Sequence, residues 1–289
     1  MKVFILGASG LVGSNCQKYF ETQGWNVTGS YFSFPVPNAV YYNTLDPNNS
    51  KNYDIIGWKP DVIVHCGALT NVDYCETHES ESYQQTVEST KQAISLARQC
   101  QARLVYISTD YVFDGISGPY RENDATNPIS IYGKHKLEAE QLSISQLKDT
   151  LVLRITNVYG DEIRGKNFVA RIVDQCKKNQ ALTLKLPYDQ YATPVNAWDI
   201  ARAMFILLQD QKHGIYHIAS TEYMNRVELA SRILLYFPQA QYDLQPLSTE
   251  NLKQQAARPL NGGLLKIKFS NEYPNFLFNS LDNYLRSII

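Results

Sequence analysis

Tyr132 and Lys136 stand four positions apart at the head of a stretch with helical character, and Ser108-Thr109-Asp110 closes a strand-like run upstream. Residues four apart share a helix face, so a phenol and an ammonium can look into one site. A free tyrosine has a pKa of about 10 and is a poor proton donor near neutrality. A neighbouring ammonium favours the phenolate and is expected to bring that value down. Tyr132 would then give a proton to a carbonyl oxygen, with the Thr109 hydroxyl bonded to the same oxygen. A Y-x-x-x-K spacing alone is most often a solvated helix face. What gives it meaning here is its place downstream of a nucleotide-binding turn.

That turn follows the apolar run Met1-Lys2-Val3-Phe4-Ile5-Leu6 and reads Gly7-Ala8-Ser9-Gly10-Leu11-Val12-Gly13. Gly7 permits a tight turn off the strand, Gly10 lets backbone approach a pyrophosphate, and Gly13 lets the next helix sit close to the sheet. The helix N-terminus then offers N–H groups and a favourable dipole to phosphates. A plain glycine-rich βα turn is the rival reading; the preceding strand and following helix favour a dinucleotide. A nicotinamide cofactor would place its ribose beside Lys136. The second strand ends in Thr28-Gly29-Ser30-Tyr31-Phe32-Ser33, without the carboxylate that usually holds an NAD ribose. A 2′-phosphate would not be repelled there, and Ser30 or Ser33 could bond it, although no Arg or Lys stands nearby in the sequence. The cofactor expected is NADP, with NAD the alternative. Asp46 is a candidate for the adenine amino group, and a helix cap in Asp46-Pro47 is the competing reading.

The elements that must position these groups are legible as alternating signals. Val3–Leu6, Val27–Ser30, Asp61–Val64, Arg103–Ser108 and Leu151–Ile155 read as strands, with helices over 11–22 and 82–101 between them. This alternation predicts an α/β fold, a Rossmann-type doubly wound parallel sheet with helices on both faces. Ligands bind beyond the carboxyl ends of such strands, where the glycine turn and Thr109 both fall. Past Gly160 the pattern loosens: helices are expected over 168–178 and 197–209, a strand over 215–218, and a loop-rich tail over 243–270. The cofactor domain is expected to span 1–156 with elements returning from about 190–225, and a smaller C-terminal substrate-binding lobe to take 157–189 and 226–289.

Bulk properties narrow the class. With 289 residues, 44% hydrophobic and 19% charged, the chain has ordinary globular composition and needs no disulfide staples. A net charge of −1 gives no strong field for nucleic acid or an anionic membrane. Five cysteines without a C-x-x-C spacing read as reduced thiols, with neither a disulfide framework nor a metal site. No apolar run approaches the length of a signal peptide or a membrane span, and a cytoplasmic location is expected.

The sequence resembles the extended short-chain dehydrogenase/reductases, and within them the dTDP-4-dehydrorhamnose reductase branch. The resemblance is carried by Pro60-Asp61-Val62-Ile63-Val64-His65, Ala68-x-Thr70-x-Val72-Asp73-x-x-Glu76 and Ser108-Thr109-Asp110-Tyr111-Val112-Phe113-Asp114-Gly115. Tyr132-Gly133-Lys134-x-Lys136-x-x-x-Glu140, Val158-Tyr159-Gly160, Asn167-Phe168 and Ala257-Arg258-Pro259 extend it over nearly the whole chain. It implies NAD(P)H-dependent reduction of a nucleotide-linked 4-keto-6-deoxy sugar. By the same resemblance Gly10, Leu11 and Val12 would line the diphosphate, Asp46 would touch adenine, Gly67 and Ala68 would pack near the ribose, and Ile107 would line the nicotinamide end. Thr109 and Asp110 would meet the sugar, and some relatives are homodimers. Arg258 is the best candidate for gripping the substrate diphosphate, since a guanidinium fits phosphate oxygens; a structural salt bridge is its rival role.

The chain departs from the branch at three places. Thr86 stands where an Asn-Val-x-x-Thr pattern has Asn, behind the catalytic helix. Asn157 replaces a common Trp, and Gly262-Gly263-Leu264 replaces Ser-Arg-Leu, both where substrate should sit. A 4,6-dehydratase would need an acid–base pair directly after Thr109, and Asp110-Tyr111 argues against that; a sugar-nucleotide epimerase is a related reading. A different class is a non-catalytic NADP-binding regulator resembling the regulatory subunit of methionine adenosyltransferase, which can keep Thr109, Tyr132 and Lys136. His65 reads as a packed or hydrogen-bonded core residue, and His135, between two lysines, as solvent-facing.

Overall fold

The computed structural model describes residues 1–46 and 53–289. Its strands are β1 (Lys2–Leu6), β2 (Asn26–Tyr31), β3 (Ala39–Tyr41), β4 (Val62–His65), β5 (Arg103–Thr109) and β6 (Leu151–Ile155). Further along come β7 (Leu182–Pro187), β8 (Tyr191–Ala192), β9 (Gly214–His217), β10 (Met224–Asn225) and β11 (Tyr242–Leu247). Seven of them form one all-parallel sheet in the order β3-β2-β1-β4-β5-β6-β9. The fold is the expected Rossmann-type doubly wound sheet. Strand order reverses between β1 and β4, and in doubly wound sheets ligands bind beyond the carboxyl ends at such a switch point.

The near-continuous apolar runs of the central strands follow from burial on both faces. Along β1, Val3 and Ile5 pack with Phe20, Met204 and Leu208, from the helices Leu11–Thr22 and Ala197–Gln209. Phe4 and Leu6 point the other way, against Ala93, Ile94 and Ala97 of the helix Ser89–Cys100. Alternation of side chains along a strand thus divides one sequence run between two cores.

The helical stretch expected over 82–101 is interrupted. A helix Glu79–Tyr83 passes into a π-helical turn, Gln84–Glu88, and then into Ser89–Cys100. Thr86 lies in that turn; its hydroxyl is buried without a hydrogen-bond partner among the described residues, and its carbonyl accepts the Thr90 hydroxyl at 2.6 Å.

A second core gathers Tyr159, Val169, Ile172, Leu182, Leu229, Ile233, Leu281 and Leu285. There β7 pairs in parallel with β11, and β8 pairs antiparallel with β10. The loop-rich tail expected over 243–270 holds most of β11 and the helix Ile267–Glu272. Gln245 and Pro246 hid the strand, and proline is tolerated because β11 pairs on one side only. Phe269, fully buried, packs into the core of the main sheet, so this part of 226–289 lies with the sheet.

Candidate active site

At one end of the region beyond the switch point the helix Leu11–Thr22 begins after Gly10 with no side-chain cap and no acidic residue in its first turn. Backbone N–H groups at Leu11 and Val12 meet no side-chain acceptor among the described residues, the condition in which a helix start receives an anion. A methyl group on Gly13 would stand 2.4 Å from the Gly7 carbonyl oxygen and 2.8 Å from the Ala8 Cα, so the helix is seated directly on the turn. One on Gly10 would meet only the Gly7 oxygen, at 3.5 Å, and space lies open before it. The segment Gly67-Ala68 flanks the turn, with the Gly67 nitrogen 3.1 Å from where a Gly7 Cβ would be. This uncapped, glycine-lined cradle fits a dinucleotide diphosphate.

Ser30 does not face outward as expected. It is buried, its hydroxyl accepts the Gly7 N–H at 3.4 Å and its carbonyl accepts the Ala8 N–H at 2.7 Å. It braces the turn from β2 because the pleat points it under the loop; Ser33 is exposed. The Asp46 N–H donates to the Asn43 carbonyl, and the Thr44 and Ser89 hydroxyls bond at 2.7 Å, which puts 43–46 beside the helix Ser89–Cys100. Pro47 of the proposed cap lies outside the described residues.

At the other end the helix Ile131–Gln146 starts at Ser130, whose hydroxyl accepts the Gly133 N–H at 3.2 Å. A Cβ on Gly133 would lie 2.3 Å from the Tyr111 carbonyl oxygen, so the first turn is pressed onto the residues just after β5. This close approach brings Tyr132 to Thr109. The Lys136 ammonium donates to the Ile107 carbonyl at 2.5 Å and stands 4.3 Å from the centroid of the Tyr106 ring. Tyr132, Lys136, Thr109 and Ile107 are therefore brought together as the spacing requires.

The electrostatics differ from expectation. Burial pushes the Tyr132 phenol up; the Thr109 hydroxyl within hydrogen-bonding reach opposes this, while Asp110, Tyr111 and Cys75 add to it. Burial also brings Lys136 down to about 7, against the favourable charges of Glu140 and Cys66. The lysine thus does not lower the tyrosine here. Desolvation dominates both groups: burial outweighs the Glu140 charge at Lys136 and the Thr109 hydroxyl at Tyr132.

Much of the motif sequence proves to be framework. Glu140 and Arg154 form a buried pair at 2.5 Å, and Glu140 also accepts the Ser108 hydroxyl at 2.6 Å, tying the helix Ile131–Gln146 to β5 and β6. From the helix Val72–Thr77, Asp73 accepts the Ala256 N–H at 3.1 Å and Glu76 accepts the Ile131 N–H at 3.0 Å. One helix face thereby clamps both the C-terminal segment and the residue before Tyr132. His135 is not solvent-facing: it is buried, and its Nδ1 bonds the Ser82 hydroxyl at 2.8 Å, because the odd side of the helix lies against 79–88. His65 is buried with neither ring nitrogen bonded among the described residues, and burial together with Lys136 lowers it to about 3.

Both oxygens of the Asp110 carboxylate accept bonds: Oδ1 from the Thr109 hydroxyl at 3.2 Å, and Oδ2 from the Thr156 hydroxyl at 2.6 Å and the Gly263 N–H at 3.3 Å. Its first structural role is to join β5, β6 and the Gly262–Gly263 segment. Arg258 pairs with Asp73 at 2.7 Å through one nitrogen, while its Nη1 is buried without a partner among the described residues. It has both a salt bridge and a donor in reserve. Asn157 adopts a left-handed backbone, φ 41°, and its side-chain oxygen accepts Arg226 at 2.6 Å.

Arg226 escaped the sequence reading. It carries no ion pair among the described residues, burial lowers it, and Arg171 and Arg258 lie close enough to lower it further against the opposing pull of Tyr111 and Asp110. The available signal was its position as first residue of the helix Arg226–Leu234, where the dipole disfavours a cation.

With this geometry in view, comparison with known proteins places the chain. Residues 1–277 match the family described as the RmlD substrate binding domain. The chain belongs to that family. It resembles at fold level a solved dTDP-4-dehydrorhamnose reductase from Bacillus anthracis in complex with NADP, with a TM-score of 0.86 and 25% identity, covering 99% of this chain and 97% of that one. It is 32% identical over 268 residues to methionine adenosyltransferase 2 subunit beta of Bos taurus, covering 91% of this chain and 80% of that protein. It is 30% identical over 234 residues to the spore coat polysaccharide biosynthesis protein SpsK of Bacillus subtilis, covering 81% and 78%. No helix among the described residues is long and apolar enough to cross a membrane.

Proposed function

We propose that the protein is an NADP(H)-dependent reductase of a nucleotide-linked keto sugar, of the 4-keto-6-deoxy class. The observation that carries this reading is the convergence of Tyr132, Thr109 and Lys136 at the carboxyl end of β5, on the same edge of the parallel sheet as the uncapped glycine turn after β1. The cradle at Gly10–Gly13 would hold the cofactor diphosphate, Lys136 the nicotinamide ribose, and Ile107 the wall beside the ring. The cofactor, when bound, supplies hydride to the carbonyl carbon. Tyr132 gives its phenolic proton to the carbonyl oxygen as negative charge develops there, and Thr109 donates a hydrogen bond to the same oxygen. Burial keeps the Tyr132 phenol protonated before substrate binds, and the developing alkoxide, a stronger base than a phenolate, supplies the driving force for the transfer. The Arg226 guanidinium, which has no ion pair among the described residues, and the Arg258 Nη1, which has no acceptor among them although the same guanidinium pairs with Asp73, would take the substrate diphosphate.

A second reading is an NADP-binding regulatory subunit, favoured by the 32% identity to methionine adenosyltransferase 2 subunit beta, higher than the 25% to the reductase. Absorbance-monitored oxidation of NADPH and of NADH by the purified protein with dTDP-4-dehydrorhamnose separates the two. Rapid oxidation supports the reductase. NADPH binding without turnover of this or other nucleotide-linked keto sugars transfers the weight to the regulator.

A further inference from the structure

The sequence around the end of β2 lacks a cation for a ribose phosphate, yet the fold brings one there from a distant segment. Residues 161–166 form a strap closed at its base: the Glu162 carboxylate accepts the Lys166 and Asn167 N–H groups at 2.9 Å each, and the Asn167 amide donates to the Gly160 carbonyl at 3.1 Å. One end is pinned to the glycine-turn helix, where the Asn15 amide donates to the Asp161 carbonyl at 2.9 Å and the Leu11 carbonyl at 2.8 Å. The strap therefore runs past the start of that helix. From it Arg164 reaches Phe34, just beyond β2, with the guanidinium carbon 5.4 Å from the ring centroid. The Arg164 Nε is buried and takes no hydrogen bond among the described residues.

A guanidinium is charged at any physiological pH, and a buried N–H without an acceptor is costly until something supplies one. In doubly wound folds the adenosine ribose lies at the end of the second strand. Here the segment 28–33 offers no carboxylate, Ser30 is turned beneath the turn, and Arg164 brings a cation to Phe34, three residues past the end of β2. We infer that Arg164 takes the 2′-phosphate of the cofactor, so that a strap of the C-terminal half sets the preference for NADP over NAD. This rests on the reading of the region beyond the switch point as a nicotinamide-dinucleotide site.

The test is equilibrium binding of NADPH and NADH to the full-length protein by fluorescence titration, at low and moderate salt, for wild type, Arg164→Met and Arg164→Lys. Methionine keeps the stacking on Phe34 and removes the charge. Loss of charge-assisted bonds predicts about 10–100-fold weaker NADPH binding for Arg164→Met, NADH binding within about threefold, and a shallower salt dependence for NADPH. Arg164→Lys should recover part of the loss. Equal weakening of both cofactors, no change in either, or a wild type that prefers NADH overturns the assignment while the site reading stands. Failure of wild type to bind either cofactor overturns both.

Discussion

The Lys136 ammonium lies 2.5 Å from the carbonyl oxygen of Ile107, and that neutral acceptor is its only hydrogen-bond partner among the described residues. A neutral oxygen stabilises a buried cation far less than water does, which is why the lysine falls from 10.5 to about 7. Between those values the unfolded chain holds a proton that the folded chain does not, so folding stability rises with pH across that window. Below about pH 7 both states are protonated and the full penalty applies. Lys136→Met removes the titration. Its stability relative to wild type should therefore be most favourable at pH 7 and decline by roughly 1.4 kcal/mol per unit as pH rises toward 9. Urea unfolding of both proteins at pH 7, 8 and 9 measures this, and a pH-independent difference would contradict the buried ammonium.

Tyr132→Phe tests the proton donor. The ring remains to pack edge-on against Tyr111, 5.5 Å between centroids, and only the hydroxyl is lost. Turnover of the keto-sugar substrate should fall about 10²–10⁴-fold while the NADPH dissociation constant stays nearly constant. Near-normal turnover would remove Tyr132 from its proposed role.

Much of this arrangement was legible in the sequence because it is local. Strand β1, the glycine turn and the helix after it form one contiguous run, and Tyr132 and Lys136 are related by helical spacing alone. What escaped depends on contacts between distant segments. Arg226 is meaningful only once Asn157 and Tyr111 are beside it, and the turn of Ser30 beneath Gly7 depends on which face of β2 it occupies. The exposed reading of His135 failed because charged neighbours on a helix say nothing about what packs on its opposite side. Strand β11 was hidden by a proline that only an edge strand accepts.

Arg226→Met tests the anion site. The side chain touches the Phe168 ring, with its guanidinium carbon 4.8 Å from the centroid, so methionine preserves packing. Removing a charged donor from a phosphate should raise KM for a nucleotide sugar by about 10-fold or more, with a smaller effect on kcat. The NADPH dissociation constant should not move. Steady-state kinetics alongside binding titration distinguish this from a general loss of structure.

Glu140 connects the helix Ile131–Gln146 to Ser108 on β5 and to Arg154 on β6, and the ion pair is almost wholly buried, at 3% and 2% side-chain exposure. Glu140→Ala leaves a buried guanidinium beside His217, which that same charge and burial already hold down at about 3. Breaking such a pair from one side should cost about 3–5 kcal/mol in urea unfolding. Replacing both members, Glu140→Leu with Arg154→Met, should restore most of it, because the desolvated charge is removed with its partner. Equal losses in single and double variants would show that packing around the pair matters more than charge.

The two glycines of the cofactor turn should respond differently to the same added methyl. At Gly13 the methyl would fall 2.4 Å from one backbone atom and 2.8 Å from another, neither of which can swing away, so the helix must lift off the turn. Gly13→Ala should cost about 1–3 kcal/mol of stability through overpacking and weaken NADPH binding as well. At Gly10 the nearest atom would be at an ordinary 3.5 Å, and the backbone, φ −90° and ψ 169°, suits alanine. Gly10→Ala should therefore keep the melting temperature of wild type, yet weaken NADPH binding about 10-fold or more, because the methyl projects into the space a phosphate must enter. Thermal unfolding without cofactor and binding titration, run in parallel, resolve the two effects. A Gly10→Ala variant with unchanged affinity would mean that the diphosphate does not lie against this turn.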